Sequence, residues 1–372
     1  MKYGVACRVV AAVVILLVGI QPALGHHTIA AKFDPDQTVS FTGTVAKVDW
    51  LNPHVHLFID VAQGANVENW AVEMESPTLL EMAGWERDTV AIGDQLRVEG
   101  IRARDGSLQA WGLSVVDAGS GQAVLTWSED SLPQPSDNNG PTPRWPDGQP
   151  MLGPPMGDSG YWGSPSRTVL VEDGSGVDVA ADGLLASIAD AGEVAPFQPW
   201  AKGVYEDRQQ NFLAEDPLYL HCIPPAGPRA FQGPYGVQFV ENRERERIFL
   251  LEGGGNRNFR IIYLDGREQI GDIRGDYDNP LFYGRSVAEW EGDTLVIDTI
   301  GFNERFWFSN GGLPHTSLLH MIERITREDY NTLTYEVTID DPGAYTRQWT
   351  STTTLDWIEG EMPVFYCQDN RP

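Results

Sequence analysis

A mainly β chain built as two barrels is what this sequence predicts, and three observations predict it. Apolar residues recur at every second position in short runs, clearest where Leu333, Tyr335, Val337 and Ile339 alternate with Thr334, Glu336, Thr338 and Asp340. Tight-turn pairs such as Asp105-Gly106 and Asp265-Gly266 separate such runs. The 39 Gly and 25 Pro favour turns, and no helical period is long enough for an α/β fold.

Residues 26–118 read as strand, strand, strand, short helix, strand, strand. The strand runs are Val39 to Trp50, His54 to Val61, Val67 to Met74, Gln95 to Ala103 and Ser107 to Val116. Ser76 as N-cap with Pro77 at the first helical position starts the helix, and Gly84 stops it. Five strands with a helix between the third and fourth is the order of an OB-like β-barrel, with a plain β-sandwich as the alternative.

Residues 119–196 are rich in Pro, Gly, Ser and Asp and poor in aliphatics, the composition of a linker, with Trp127, Trp145 and Trp162 as docking points. Residues 197–372 begin with a short helix around Trp200 to Phe212 and continue as about eight strands in hairpin order. That is the pattern of an antiparallel lipocalin-like barrel, whose interior can take a small apolar ligand.

Residues 1–25 carry Lys2 and Arg8, an apolar run from Val9 to Ile20, Pro22 and the small residues Ala23 and Gly25, which together read as a signal peptide. The apolar run is shorter than the roughly 20 residues of a spanning helix, and no later segment spans, so a periplasmic or secreted protein with no membrane span after cleavage is expected. Cys222 and Cys367 are then the remaining thiols in an oxidising compartment and are expected to form a disulfide; a reactive thiol beside His221 is the other reading.

The 26 basic residues face 53 acidic ones, a net charge of -27. Cleavage removes two cations and no acid, giving -29 for the mature chain. Nucleic acid is excluded as a partner, and anionic membranes are disfavoured, because both need clustered cations.

Four of the 7 histidines stand early in the mature chain: His26 and His27 at its start, and His54 and His56 two apart in one strand, where side chains share a face. Cleavage after Gly25 gives His26 a free α-amine beside its imidazole. An amine-plus-imidazole chelate completed by a strand histidine suits copper, and imidazole sets equally admit zinc. Asp34, Asp36 and Asp60 are candidate partners for the ring nitrogens. The bland reading is a frayed terminus and two strand-capping histidines.

In the C-terminal half, Arg285, Glu291, Asp298, His315, His320 and Glu323 are the polar candidates. His320 with Asp298 or Arg285 inside a barrel would suit proton transfer on a small organic ligand, whereas Glu323, three residues from His320, faces the other way. Structural hydrogen bonding is the alternative for each. Gly253 to Gly255 lacks the P-loop lysine, and no nucleophile elbow or zincin motif is present.

The string His26-His27-Thr28 with Phe33, Gly43 and Trp50-Leu51-Asn52-Pro53-His54 resembles the N-terminal motif of a bacterial secreted family of unknown function, over roughly residues 26–118. Thr28 stands where that family has Ser. The second half resembles companion domains of uncharacterised exported proteins through Asp207-Arg208-Gln209, Cys222 with Pro224-Pro225, Gly284-Arg285-Ser286-Val287, Trp290-Glu291-Gly292-Asp293-Thr294, Asp340-Asp341-Pro342 and Tyr366-Cys367. The resemblance implies export and the domain boundaries and assigns no catalytic residue. Three functions remain open: a protein binding a metal ion plus a small apolar ligand or protein partner, an enzyme, and a structural envelope protein.

Overall fold

The computed structural model describes residues 32–51, 54–126, 134–163, 170–180, 183–211, 215–233, 235–254, 258–269 and 281–363. The expectations on residues 1–25, His26, His27, Trp127 and Cys367 fall outside them.

The N-terminal part is β1 (Phe33–Asp49), β2 (His56–Gln63), β3 (Asn66–Glu73), α1 (Pro77–Met82), β4 (Gln95–Ala103), β5 (Gln109–Asp117) and β6 (Ala123–Thr126). The sheet runs β3-β2-β1-β4-β5-β6, and β3 also pairs in parallel with β5, so hydrogen bonding passes from β1 through β2, β3, β5 and β4 back to β1. Ser76 caps α1 by accepting from the Leu79 N–H, and Pro77 loses nothing at a position whose N–H has no helical acceptor. Leu57, Ile59 and Val61 of β2 are buried with Val72 of β3, Leu96 and Val98 of β4 and Leu80 of α1, forming one core. A second, outer cluster joins Phe33, Ala103 and Trp111, so the start of β1 folds over the outside of β4 and β5.

The C-terminal part is a closed barrel of β7 (Gly160–Gly163), β8 (Val237–Asn242), β9 (Arg247–Glu252), β10 (Phe259–Tyr263), β11 (Arg285–Glu291), β12 (Thr294–Ile300), β13 (His320–Arg327), β14 (Thr332–Asp340) and β15 (Trp349–Glu359), in the order β10 to β15, then β7, β8 and β9. Helices α2 (Pro199–Gln210) and α3 (Pro217–His221) precede β8. Two features depart from the expected eight antiparallel strands. β10 and β11 are parallel, because the connection 264–284 is long enough to return the chain in the same direction, whereas the Asp265-Gly266 turn suggested a hairpin.

The other departure is β7, which comes from the stretch expected as linker. Gly160 and Gly163 make that strand possible: a Cβ at Gly160 would lie 2.2 Å from Trp357 Cζ2, and one at Gly163 would lie 2.7 Å from Ile358 Cδ1. Trp162 is fully buried and donates to the Leu152 carbonyl at 2.7 Å, and Trp145 donates to Glu241 at 2.9 Å, so both indoles dock as expected. Leu152, Leu170, Ala191, Val194 and Ala195 join the barrel core, which therefore takes in residues well before 197. No helix among the described residues is long and apolar enough to cross a membrane.

Candidate functional site

Four stretches of chain converge on the Glu73 carboxylate at the end of β3. Counting outward from the Gln63–Asn66 turn makes His56 its direct partner on β2, and the parallel pairing places Trp111 of β5 on its other side. Trp70 and Val72 belong to the core, so Glu73 projects outward by strand alternation; it is nonetheless only 6% exposed, because Lys32 and two histidines close over it.

Lys32 Nζ lies 2.7 Å from Glu73 Oε2. His56 Nε2 is 3.6 Å from the same oxygen, and His54 Nε2 is 3.9 Å from Oε1. The opposite ring nitrogens meet backbone carbonyls: His54 Nδ1 is 3.0 Å from Met74 O, and His56 Nδ1 is 3.1 Å from His54 O. A carbonyl only accepts, so Nδ1 carries the hydrogen in each ring; Nε2 donates toward the carboxylate when the ring is an imidazolium and has a lone pair for an ion only when the ring is neutral. The His54 ring stands edge-on to Trp111 at 5.4 Å. Burial pushes the Glu73 carboxyl up, but the His56 hydrogen bond and the charges of His54, Lys32 and His56 outweigh it and hold the group below the ordinary carboxylate range. Burial pushes the neighbouring Glu75 up to about 7, against a hydrogen bond from the Ser76 backbone and with help from the Glu73 charge.

His54 and His56 are thus brought to one point, while His26 and His27 lie outside the described residues. Two of the three aspartates expected behind the rings are engaged elsewhere, Asp34 accepting from Gln37 at 2.8 Å and Asp60 from Asn69 at 2.7 Å, and backbone carbonyls meet the Nδ1 atoms of the imidazoles instead. Among the described residues no three His, Cys, Asp or Glu side chains are arranged to hold a metal ion. Glu73 and Lys32 escaped the sequence reading. The hairpin register, counted from its turn, was the available signal for Glu73; Lys32 is 41 positions away and had none.

In the C-terminal barrel His320 and Asp298 do meet, with Nε2 to Oδ2 at 3.2 Å, but on the outer face and not inside. The reason is alternation. Ile297 and Thr299 flank Asp298 and are buried, and Met321 beside His320 is buried too, which turns the pair outward. Gln269 donates to Asp298 Oδ1 at 2.8 Å and to the Arg285 carbonyl at 3.2 Å, while Arg285 Nε is buried without a hydrogen-bond partner. The His320 hydrogen bond draws the Asp298 carboxyl below its usual range, against burial. Glu323, three positions from His320, faces the opposite way as expected, but with His320 outside that way is inward, where Glu323 is 0% exposed.

Among the described residues, side chains pack into the barrel interior. Arg260 reaches Glu323 through Nη1 at 3.0 Å and Nη2 at 2.5 Å, and donates to Ser286 at 2.8 Å and Thr299 at 2.6 Å; Tyr335 donates to Glu323 at 3.0 Å. The Phe231 ring stacks on Tyr335 with centroids 4.1 Å apart, and the cavity beside them, of about 10 Å³, has room for about one water. An open groove of about 220 Å³ lies at the barrel end between Gln149, Glu241, Arg243, Arg247 and Trp290.

No curated protein and no solved structure matches the chain. Residues 14–113 match a family of unknown function, DUF6152, a span that takes in Lys32, His54, His56, Glu73 and Trp111 and none of the C-terminal barrel.

Proposed function

We propose that this chain is an exported, periplasmic or secreted metal-binding protein, in which an OB-like N-terminal barrel holds copper or zinc through His54 and His56. The amino terminus left by signal cleavage completes the set through the α-amine and ring of His26, with His27 in reserve. The observation that carries this reading is the shared aim of the two Nε2 atoms, each ring being locked by a carbonyl on Nδ1, the arrangement common behind metal-ligating histidines. Lys32, six residues after His26, already stands at that point, and six residues of extended chain reach about 20 Å, so the terminus is within range. Copper fits an amine-imidazole chelate, and zinc fits imidazole with carboxylate.

The C-terminal barrel, lipocalin-like in closure, serves in this reading to engage a partner on its outer wall, where Val240 and Phe259 are 42% and 52% exposed. A small apolar ligand inside it would have to displace packed side chains.

The test is metal titration of protein bearing its authentic mature terminus. One copper or zinc ion bound per chain, lost in the His54→Ala/His56→Ala double variant, is the expected result. Failure to bind either metal, with thermal stability unchanged by both, refutes it.

The His320–Asp298 contact favours a second reading, an acid/base enzyme using His320 with Asp298, and with Arg285 alongside. Loss of turnover in His320→Gln with metal content retained would decide for it.

A further inference from the structure

We propose that Lys32 is the resident cation of the His54–Glu73–His56 site, and that a divalent ion enters by displacing it, with Glu73 becoming a ligand. This rests on the metal reading above and adds to it an exchange between two cations.

Glu73 is a nearly buried carboxylate, and such a group needs a cation beside it. The ammonium supplying that charge is on a flexible stem, 20% exposed, packed against its neighbour Phe33 at 5.1 Å, so it has both a way out to water and a ring to rest on. The spacing of the other groups suits an ion. Two ligands of one tetrahedral ion with bonds of roughly 2.0 to 2.2 Å lie about 3.4 Å apart. The Nε2 atoms stand 3.6 and 3.9 Å from the two carboxylate oxygens, near that spacing, with Lys32 on the same carboxylate; the three side chains as they stand do not form a metal site, so they must close together once the ammonium leaves. Two cations cannot share Glu73 at that distance without strong repulsion, so the ion and Lys32 exclude one another. Release of Lys32 leaves the carboxylate to the ion.

Zinc chloride titration by calorimetry of the mature protein tests this. Lys32→Met removes the competitor and should tighten zinc about tenfold, whereas Glu73→Gln should weaken it by roughly 10- to 100-fold. A second measurement needs no substitution: acetylation of wild-type protein by a water-soluble active ester, read by peptide mass spectrometry. Zinc should raise the Lys32 labelling rate several-fold and leave Lys47, whose side chain is 59% exposed, unchanged. Lys32 labelling that stays constant or slows while zinc binds, or weaker binding by Lys32→Met, overturns the exchange. Wild-type protein that binds no zinc or copper overturns the metal reading itself; binding that needs His54 and His56 and ignores both Lys32 and Glu73 overturns the exchange alone.

Discussion

Glu252, at the end of β9, gives the sharpest stability prediction. It is 2% exposed, its Oε2 accepts from the Tyr283 hydroxyl at 3.1 Å, and its Oε1 is buried without a partner. Burial pushes its carboxyl up to about 8, more strongly than the Tyr283 hydrogen bond and the nearby Arg260 charge pull it down; Arg260 is already paired with Glu323. The ordinary value is about 4.3, so across the interval between the two the folded chain holds a proton that the unfolded chain releases. The contribution of Glu252 to stability is therefore complete at low pH, shrinks as pH rises, and is gone above about pH 8.

Glu252→Gln keeps the shape and removes the titration. At about 1.4 kcal/mol per pH unit, the variant should gain on wild type by about 4 kcal/mol between pH 5 and pH 8 and hold that margin at pH 9. Urea unfolding of both proteins, followed by tryptophan fluorescence at several pH values, measures the gap. Curves that stay parallel throughout would show that the carboxyl is ionised in the folded barrel and would refute the argument.

Three further outcomes are expected, two from the packing and one from the oxidising compartment that export implies. Asp216→Asn strips the Arg229 guanidinium, 2% exposed, of a two-point ion pair at 2.8 and 2.5 Å, and should destabilise the barrel by about 3 to 5 kcal/mol in the same urea assay. Gly160→Ala drives a methyl into the Trp357 ring and should cost about 1 to 3 kcal/mol, with near-ultraviolet dichroism changing along with the melting temperature. Peptide mapping of exported, unreduced protein should recover Cys222 joined to Cys367; both recovered as free thiols would refute the pairing.

Local signals carried most of the strand and helix positions. β4 begins and ends where its alternation does, and α1 begins at the Ser-Pro pair that announces it, because both depend on neighbours in the chain. β7 was hidden. Gly-Tyr-Trp-Gly inside a Pro-rich stretch has the composition of a loop, and only Trp357 and Ile358, nearly 200 residues later, explain why glycine is needed there. The candidate site was half legible for the same reason. Two histidines on one face can be read from spacing, but the lysine and carboxylate between which they sit are joined by tertiary contacts. His320 and Asp298 were correctly paired and wrongly aimed, since alternation says that one face is inside without saying which until the buried neighbours Ile297, Thr299 and Met321 are known.

The late-arriving stave of the barrel also governs how this protein can be cut. β15 bonds to β7 through four residue pairs and β7 meets β8 at Trp162 and Val237, so a fragment begun at residue 197, where the composition turns ordinary, would lack the piece that seals the wall. Its two raw edges, on β15 and β8, would offer unpaired backbone to any other chain, the usual prelude to aggregation. A soluble C-terminal half should start no later than the residues that carry Leu152 to its bond with Trp162.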